Sequence, residues 1–463
     1  MKRILSFILC AAMVFTAILS LAACNVDEPI VEETEAATEG TDPTEAATNV
    51  PTSSATKKKT NKKTTETTDL DEHDLDAFDL AKYLSPVWAG EISYAESAFV
   101  KESENGRVEP ISLLYPVDEI ISVRSADLGT LYVEDVDYYV DDNGDIVILP
   151  DGNIPVLAYE DYIFDNDGRT VTAAGGKPQY VAGQPGKQFV YGEISTANGG
   201  MSHWVIAVTY KHSSDCILTT PEGKSDELEN FIDKLEAGDD VTIVSIGDSI
   251  TEGWSSSGVK GKRAPYCPPY NEMVADYIQS MYEDSTVEFH NLGISGSTAG
   301  GGTISNGQPN GSNPVLLDQV CDYNPDLVMV AYGMNDGGGT NPNDYANRID
   351  TIIKYISEKC PDACIVIVGT TLPNLEMSWS DGGNTIGTYH AQYPEALAAR
   401  EPDWAEDYNV AVADVTTVNI DMYERKIYQD VTGSNSNHPN DYMHRIYAQV
   451  ILQTIFGNLA PLA

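Results

Sequence analysis

Residues 241–254, Val-Thr-Ile-Val-Ser-Ile-Gly-Asp-Ser-Ile-Thr-Glu-Gly-Trp, constrain the fold of this 463-residue chain more than any other stretch. Apart from Ser245, the first six residues are apolar or β-branched, which predicts a buried strand of a parallel sheet. Gly247, Asp248 and Ser249 break that strand, and the polar residues after them suit the start of a helix. A serine at such a turn exposes its hydroxyl beside outward-pointing backbone N–H groups, as a nucleophile requires, although an ordinary N-cap serine fits the same pattern.

From residue 236 to the C-terminus, strand and helix patterns alternate, which predicts an α/β domain with a parallel sheet. Further strands are predicted at 287–292, 327–332, 365–368 and 410–415, and helices at 270–281, 314–321, 344–359 and 441–456. Each cluster of polar residues follows a strand or precedes a helix. Because ligands bind at that edge of open α/β sheets, we expect the site there.

Residues 70–235 have a different pattern, with short Tyr- and Val-rich runs separated by Asp/Asn-Gly turns such as 141–145 and 165–168. This pattern predicts a β-sandwich, with residues 203–212 as its last core strand. An amphipathic helix at 226–235 leads into the α/β domain. The acidic turns do not match a twelve-residue calcium loop, so we predict no metal there.

The N-terminus has the pattern of a secretory signal: two basic residues, an apolar run over 4–21, and small residues before Cys24. The sequence Leu21-Ala22-Ala23-Cys24 resembles the bacterial lipobox, which implies a signal peptide over 1–23, a diacylated Cys24 and a protein held on the extracellular face of a bacterial membrane. A plain signal peptide with an incidental cysteine is the alternative. Residues 24–69, rich in Thr, Glu and Ala, are predicted to form a disordered tether.

Charge and cysteine content narrow the possible partners. The formal net charge is −44, from 71 acidic and 27 basic residues, which argues against a nucleic-acid partner. The seven cysteines show no metal-ligand spacing, and no cofactor is predicted. An extracellular location permits a disulfide, but the sequence does not fix its pairing.

Four residues at the predicted sheet edge form a constellation: Ser249, Gly296, Asn335 and His438. Alone, each is explained by a turn, a helix cap or a surface loop. Together, in the blocks Gly-Asp-Ser-Ile-Thr, Ile-Ser-Gly, Gly-Met-Asn-Asp and His-Pro, they resemble the SGNH (GDSL-type) hydrolase superfamily across residues 241–450. This resemblance implies a flavodoxin-like three-layer α/β/α domain, preceded here by a jelly-roll-like β-sandwich, that hydrolyses esters.

The resemblance also implies a role for each residue. Ser249 would be the nucleophile and His438 its general base. The backbone N–H groups of Ser249 and Gly296, with the side chain of Asn335, would form the oxyanion hole. Trp254 is a candidate substrate platform or a packing residue, and Trp379 and Tyr389 are candidates to wall the groove.

One position departs from the family pattern, which has an aspartate three residues before the histidine. Here Asn435 stands there, and an amide cannot stabilise imidazolium as a carboxylate does. We therefore expect a Ser-His dyad, or orientation of His438 by a carbonyl oxygen, with Asp414, Asp430 and Asp441 as possible substitutes. His444, in an Asp-x-x-His spacing, is a rival base inside the last helix.

The whole architecture also resembles two-domain surface carbohydrate esterases of bacteria, which implies a lipid-anchored serine esterase that removes acetyl groups from a polysaccharide such as xylan. The alternatives within the class are a lipase, a lysophospholipase or a peptidoglycan O-acetyl esterase. A lipase would need a contiguous apolar lip, whereas loops 300–313 and 380–388 are polar. The alternative from another class is a catalytically inactive lipoprotein that binds glycans.

Overall fold

Short antiparallel strands make up the N-terminal half of the computed structural model, which describes residues 79–168, 179–196, 199–213 and 217–460. The predicted signal peptide, Cys24 and the tether lie outside the described residues. The strands are β1 (Ile92–Phe99), β2 (Glu119–Ser125), β3 (Leu131–Tyr132), β4 (Tyr138–Val140), β5 (Ile146–Ile148), β6 (Ile163–Asp165), β7 (Gln179–Val181), β8 (Lys187–Phe189) and β9 (Val205–Lys211). The helices are α1 (Leu80–Tyr83), α2 (Tyr159–Tyr162) and α3 (Glu229–Ala237), the last being the predicted linker helix.

The C-terminal half alternates strands with helices, as its sequence predicts. Its strands are β10 (Val241–Gly247), β11 (Val287–Asn291), β12 (Leu327–Ala331), β13 (Cys364–Val368), β14 (Met377–Ser378) and β15 (Val410–Ala413). Its helices are α4 (Tyr270–Met281), α5 (Pro314–Asp322), α6 (Pro342–Lys359), α7 (Tyr393–Ala398), α8 (Glu401–Asp407), α9 (Val415–Met422) and α10 (Asp441–Phe456). Helix α9 was not predicted.

The five-stranded parallel sheet has the order β11-β10-β12-β13-β15, which is the flavodoxin-like order 2-1-3-4-5. Strands β12 and β13 are almost wholly buried, because helices cover both faces of the sheet. The apolar side of α10 is packed in the same core as β12 and β13. The predicted fold class, an α/β domain with a parallel sheet after a β-strand domain, is confirmed. One local prediction is wrong: residues 248–255 form turns, and the next α-helix begins only at Tyr270.

In the N-terminal half, β9 is the central partner of one four-stranded sheet, in the order β1-β9-β2-β3. A second sheet, β14-β7-β8-β6, includes a strand of the C-terminal half, since Met377 pairs with Val181 and Ser378 with Tyr180. The long loop after β13 therefore extends a sheet of the N-terminal half. The described residues belong to one compact unit, in which the two halves share hydrogen bonds and core.

In the part of the chain that the structure describes, no helix is both long enough and apolar enough to cross a bilayer.

Candidate active site

Ser249 lies in the turn that follows β10 at the carboxyl edge of the parallel sheet. Its Oγ is 2.9 Å from Nε2 of His438, within hydrogen-bond distance. The turn is closed by the Trp254 amide, which donates to the Ser249 carbonyl at 3.0 Å. Behind the serine, burial raises the pKa of the Asp248 carboxyl to about 7, and Asp248 accepts a hydrogen bond from the Ile250 amide at 2.9 Å. The structure therefore brings together the two residues that the sequence nominates as nucleophile and base.

Gly296 lies on the loop that follows β11, at a positive φ of 81° that favours glycine. A Cβ built at this position meets no atom within 4 Å, so the space beside Gly296 is open. The next residue, Ser297, donates its hydroxyl to the Gly247 carbonyl at 3.0 Å and so fixes the loop to the end of β10. Within the described ranges, no hydrogen bond uses the backbone N–H of Ser249 or Gly296. Both donors are therefore available to a bound oxyanion.

The third predicted oxyanion donor, Asn335, follows β12 on the same edge. Its Nδ2 donates one hydrogen bond to the Ser297 carbonyl at 2.9 Å, which orients the amide and leaves its second N–H free to donate elsewhere. Beside it, the buried Asp336 accepts from the Ala299 amide at 3.0 Å and from Arg348 at 2.8 Å. The Asn335 and Gly296 loops are thus tied together.

Glu252 holds the other side of the Gly296 loop. It accepts hydrogen bonds from both the amide, at 3.0 Å, and the hydroxyl of Ser295, and it pairs with Lys260 at 2.5 Å. Burial alone would raise the pKa of the Glu252 carboxyl, but Lys260 and Ser295 hold it below its ordinary value. The loop before Gly296 is therefore anchored to an ionised side chain.

His438 is held by the loop that precedes α10. Its carbonyl accepts from the Gly433 amide at 2.9 Å and from the Thr432 hydroxyl at 3.0 Å, and the Asn440 side chain caps α10 by accepting from the Met443 amide. The indole of Trp254 stacks against the imidazole, with ring centroids 5.5 Å apart. Trp254 therefore packs on His438, and its contact with a substrate stays a prediction.

The second ring nitrogen of His438 contacts a residue that the sequence did not reveal. Nδ1 lies 2.6 Å from Oε1 of Glu193, which follows β8 in the N-terminal half. Tyr191 also donates to Oε1, at 2.8 Å, and Ser255 donates to Oε2. Burial alone would raise the pKa of the Glu193 carboxyl, but His438 and these hydrogen bonds lower it below its ordinary value. The expectation of a Ser-His dyad, or of a carbonyl partner, is wrong.

Nothing in the local sequence Tyr-Gly-Glu-Ile-Ser marks Glu193 as a site residue. It lies 245 residues before His438, in a segment without a motif, and only the three-dimensional structure joins the two. The buried Asn435, at the position where the family has aspartate, faces the carbonyl of Val190 instead. The other acidic candidates bind elsewhere: Asp414 caps α9, Asp430 contacts Phe99 and Lys426, and Asp441 accepts from Ser257.

His444 is not the base. It is fully buried, where burial lowers its pKa to about 4, and its Nε2 bonds the Trp254 carbonyl at 3.1 Å.

Trp379 is 66% exposed just after β14, and the neighbouring Met377 contacts the Ser436 hydroxyl on the His438 loop. Among the described residues, no group of three or more His, Cys, Asp or Glu side chains is arranged to hold a metal.

A hydroxyl paired with an imidazole, beside two free backbone donors and an oriented amide, defines the class of protein: a serine hydrolase on a flavodoxin-like sheet. Residues 245–446 match the GDSL-like Lipase/Acylhydrolase family. The match falls within the α/β domain, which therefore resembles a GDSL-type (SGNH) hydrolase domain. The match contains Ser249, Gly296, Asn335 and His438, whereas Glu193 lies outside it.

The chain is also similar to individual proteins. It is 28% identical over 195 residues to a multidomain esterase of Ruminococcus flavefaciens. The aligned region covers 38% of this chain and about a quarter (24%) of the length of that relative. The structure is similar to a solved two-domain esterase (CEX) active on acetylated mannans. The superposition covers 53% of this chain and 58% of that chain, at 18% identity and a TM-score of 0.37. The structure is also similar to the acetylxylan esterase Axe2 of Geobacillus stearothermophilus. That superposition covers 48% of this chain and 97% of Axe2, at 19% identity and a TM-score of 0.34.

Proposed function

We propose that this protein is a serine esterase that removes acetyl groups from a polysaccharide such as xylan. The observation that carries the proposal is the 2.9 Å contact between Ser249 Oγ and His438 Nε2, together with the amides of Ser249 and Gly296, which donate no hydrogen bond among the described residues. The similarity to a multidomain esterase supports the same class of reaction.

In the first half of the reaction, Ser249 Oγ attacks the acyl carbonyl carbon while His438 Nε2 takes the serine proton. The carbonyl oxygen becomes an oxyanion, to which the amides of Ser249 and Gly296 and the Asn335 side chain donate. When the tetrahedral intermediate collapses, the bond to the sugar oxygen breaks and His438 returns the proton to that oxygen. The products are acyl-serine and a free sugar hydroxyl.

In the second half, a water molecule replaces the sugar. His438 takes a proton from the water, whose oxygen attacks the acyl carbon, and the same three donors stabilise the new oxyanion charge. The bond to Ser249 Oγ breaks, the proton returns to that oxygen, and the carboxylic acid leaves. No further reactant is needed.

A carbohydrate substrate suits the surface around the site better than a lipid does. The exposed indole of Trp379 offers a flat face on which a sugar ring can stack. Loops 300–313 and 380–388 consist mainly of Gly, Asn, Ser, Thr and Asp rather than an apolar lip. The sequence Leu21-Ala22-Ala23-Cys24 supports attachment of the enzyme to the outer face of a bacterial membrane through a lipid on Cys24.

Hydrolysis of p-nitrophenyl acetate by the purified protein and its Ser249→Ala variant tests the proposal. We expect Ser249→Ala to lower kcat by more than ~10⁴-fold, because the nucleophile is lost. Ser280→Ala, which changes an exposed serine of α4 that bonds the Tyr277 carbonyl of its own helix, is the matched control and should equal the parent.

Acetate release from acetylated xylan is then measured with the same three proteins. Activity of the parent on p-nitrophenyl acetate without activity on any acetylated polysaccharide would refute the substrate class. An inactive parent would refute the esterase and favour a glycan-binding lipoprotein.

A further inference from the structure

We propose that Glu193 is the residue that positions His438, so that the N-terminal β-half of the chain completes the active site of the GDSL-type domain. This inference rests on the proposed esterase function. In the family pattern, an aspartate three residues before the histidine orients it. Here we assign that role to Glu193, which lies outside the family match. Glu193 is a positioning residue, since it acts through His438 and not on the substrate.

The contact geometry supports this role. Glu193 Oε1 is 2.6 Å from His438 Nδ1, and the other ring nitrogen is 2.9 Å from Ser249 Oγ, so carboxylate, imidazole and hydroxyl form one continuous chain. The carboxylate fixes the tautomer with the proton on Nδ1, which leaves Nε2 free to accept the serine proton. It also stabilises the imidazolium that forms during attack. The side chains of Glu193 and His438 are only 7% and 12% exposed, so solvent screens the pair little.

The segment that carries Glu193 is held firmly in place. Met201 donates its amide to the Gly192 carbonyl at 3.0 Å, and Thr196 donates to the Glu193 carbonyl at 3.0 Å. Gly200 has a φ of 59°, and a Cβ there would lie 2.3 Å from the carbonyl oxygens of both Gly192 and Glu193. Only glycine fits this close approach, so the backbone of Gly192 and Glu193 packs directly against Gly200.

Asn435 explains why the carboxylate comes from another segment. Its Nδ2 donates to the Val190 carbonyl at 2.9 Å, and its Oδ1 accepts from Gln429 at 3.1 Å and from Asn374 at 3.2 Å. An aspartate here would turn an oxygen toward the Val190 carbonyl and repel the segment that leads to Glu193. The amide at the family's acid position therefore serves as the anchor of that segment.

Within the described ranges, no other charged side chain near His438 fills the role. Asp248 and His444 are the neighbouring ionisable groups, but Asp248 accepts from the Ile250 amide and His444 bonds the Trp254 carbonyl. Lys260 lies over the Trp254 ring, with Nζ 5.2 Å from its centroid, and pairs with Glu252. Among the described residues, Glu193 is the carboxylate that bonds His438.

The test compares the full chain with Glu193→Gln, which keeps the shape of the side chain and removes its charge. We expect kcat for p-nitrophenyl acetate to fall about 10²- to 10⁴-fold with KM nearly unchanged. The acid limb of the kcat/KM profile should move to lower pH, because imidazolium loses its counter-charge. Glu119→Gln, an exposed glutamate of β2, is the matched control and should behave as the parent.

Thermal unfolding of each variant separates this role from a structural one. If Glu193→Gln has the parent's kcat and acid limb while Ser249→Ala is inactive, the positioning role is refuted and the esterase stands. If the parent itself is inactive, both proposals fail. If Glu193→Gln does not fold, Glu193→Asp takes its place in the test. Because the charge is retained, the acid limb of its kcat/KM profile should lie at the same pH as in the parent. A displaced acid limb would refute the proposal.

Discussion

Two buried glutamates of the N-terminal half, Glu96 and Glu193, each pair with a basic residue of the α/β half. Glu96 bonds Lys426 at 2.6 Å, and both side chains are fully buried. Glu193 bonds His438 at the same distance, within the candidate active site. The Lys426 ammonium pairs with two carboxylates, those of Glu96 and Asp430. The His438 imidazole differs, because its second nitrogen also contacts the Ser249 hydroxyl.

The difference lies in the chemistry of the basic partner, not in the burial of the carboxylate. Burial lowers the pKa of the Lys426 ammonium, but Glu96 and Asp430 more than offset this and raise it above its ordinary value. Lys426 therefore stays charged and joins the two halves. Histidine has two distinct ring nitrogens, so the same kind of pair can act on a third group. Removing one pair should affect stability, and removing the other should affect turnover.

Lys426→Met should have the largest effect on stability, because it leaves the Glu96 charge buried without a counter-charge. We expect the free energy of unfolding to fall by about 3–5 kcal/mol, with kcat per folded molecule unchanged. Urea unfolding followed by fluorescence, with kcat measured in parallel, checks both. Lys211→Met, at an exposed ion pair, is the control.

The double variant Glu96→Gln/Lys426→Met sharpens this result. Removing both charges should be less destabilising than removing Lys426 alone. A Lys426→Met variant with the parent's unfolding midpoint would show that the Glu96 pair does not join the halves. A loss of kcat per folded molecule would show that the two pairs do not differ as described.

The same contrast explains what the sequence could predict. Buried apolar strands and the residues that end them are local patterns, so the parallel sheet and the positions of Ser249, Gly296, Asn335 and His438 on its edge follow from short stretches. Helices α4 and α10 begin and end where their apolar periodicity predicts.

Long-range features could not be read in this way. Glu193 follows a three-residue strand, and its partner is 245 residues away. Strand β14 is two residues long and exists because β7 provides a partner for it. The turn at 248–255 is stabilised by bonds such as Trp254 amide to Ser249 carbonyl, which the polar sequence did not distinguish from a helix start. Such features depend on the packing of distant segments.

A smaller effect is expected at Asn435. Asn435→Asp replaces a hydrogen bond to the Val190 carbonyl by a repulsion, which should displace Glu193 and lower kcat about tenfold, equivalent to roughly 1.4 kcal/mol. The double variant Glu193→Gln/Asn435→Asp should be no more active than Glu193→Gln. Recovery of activity in the double variant would show that an aspartate introduced three residues before His438 can take the family's role without the N-terminal half.

The smallest effect concerns stability at acid pH. The pKa of the Glu193 carboxyl lies below its ordinary value of about 4.3, so its contribution to stability is fully present above that pH. It is lost as the pH falls through the lowered pKa of the folded state. The difference in urea midpoint between the parent and Glu193→Gln should therefore shrink as the pH is lowered from about 5. A difference that grows in acid would have the wrong sign.

The most direct test of the account is proton NMR of the full chain with ¹⁵N-labelled histidine. A proton held between His438 Nδ1 and Glu193 should give a far-downfield resonance that persists in Ser249→Ala and Glu119→Gln and disappears in both His438→Gln and Glu193→Gln. That pattern would establish that the N-terminal half supplies the partner of the catalytic histidine. A resonance unchanged in Glu193→Gln would contradict the account, because another group would then hold His438.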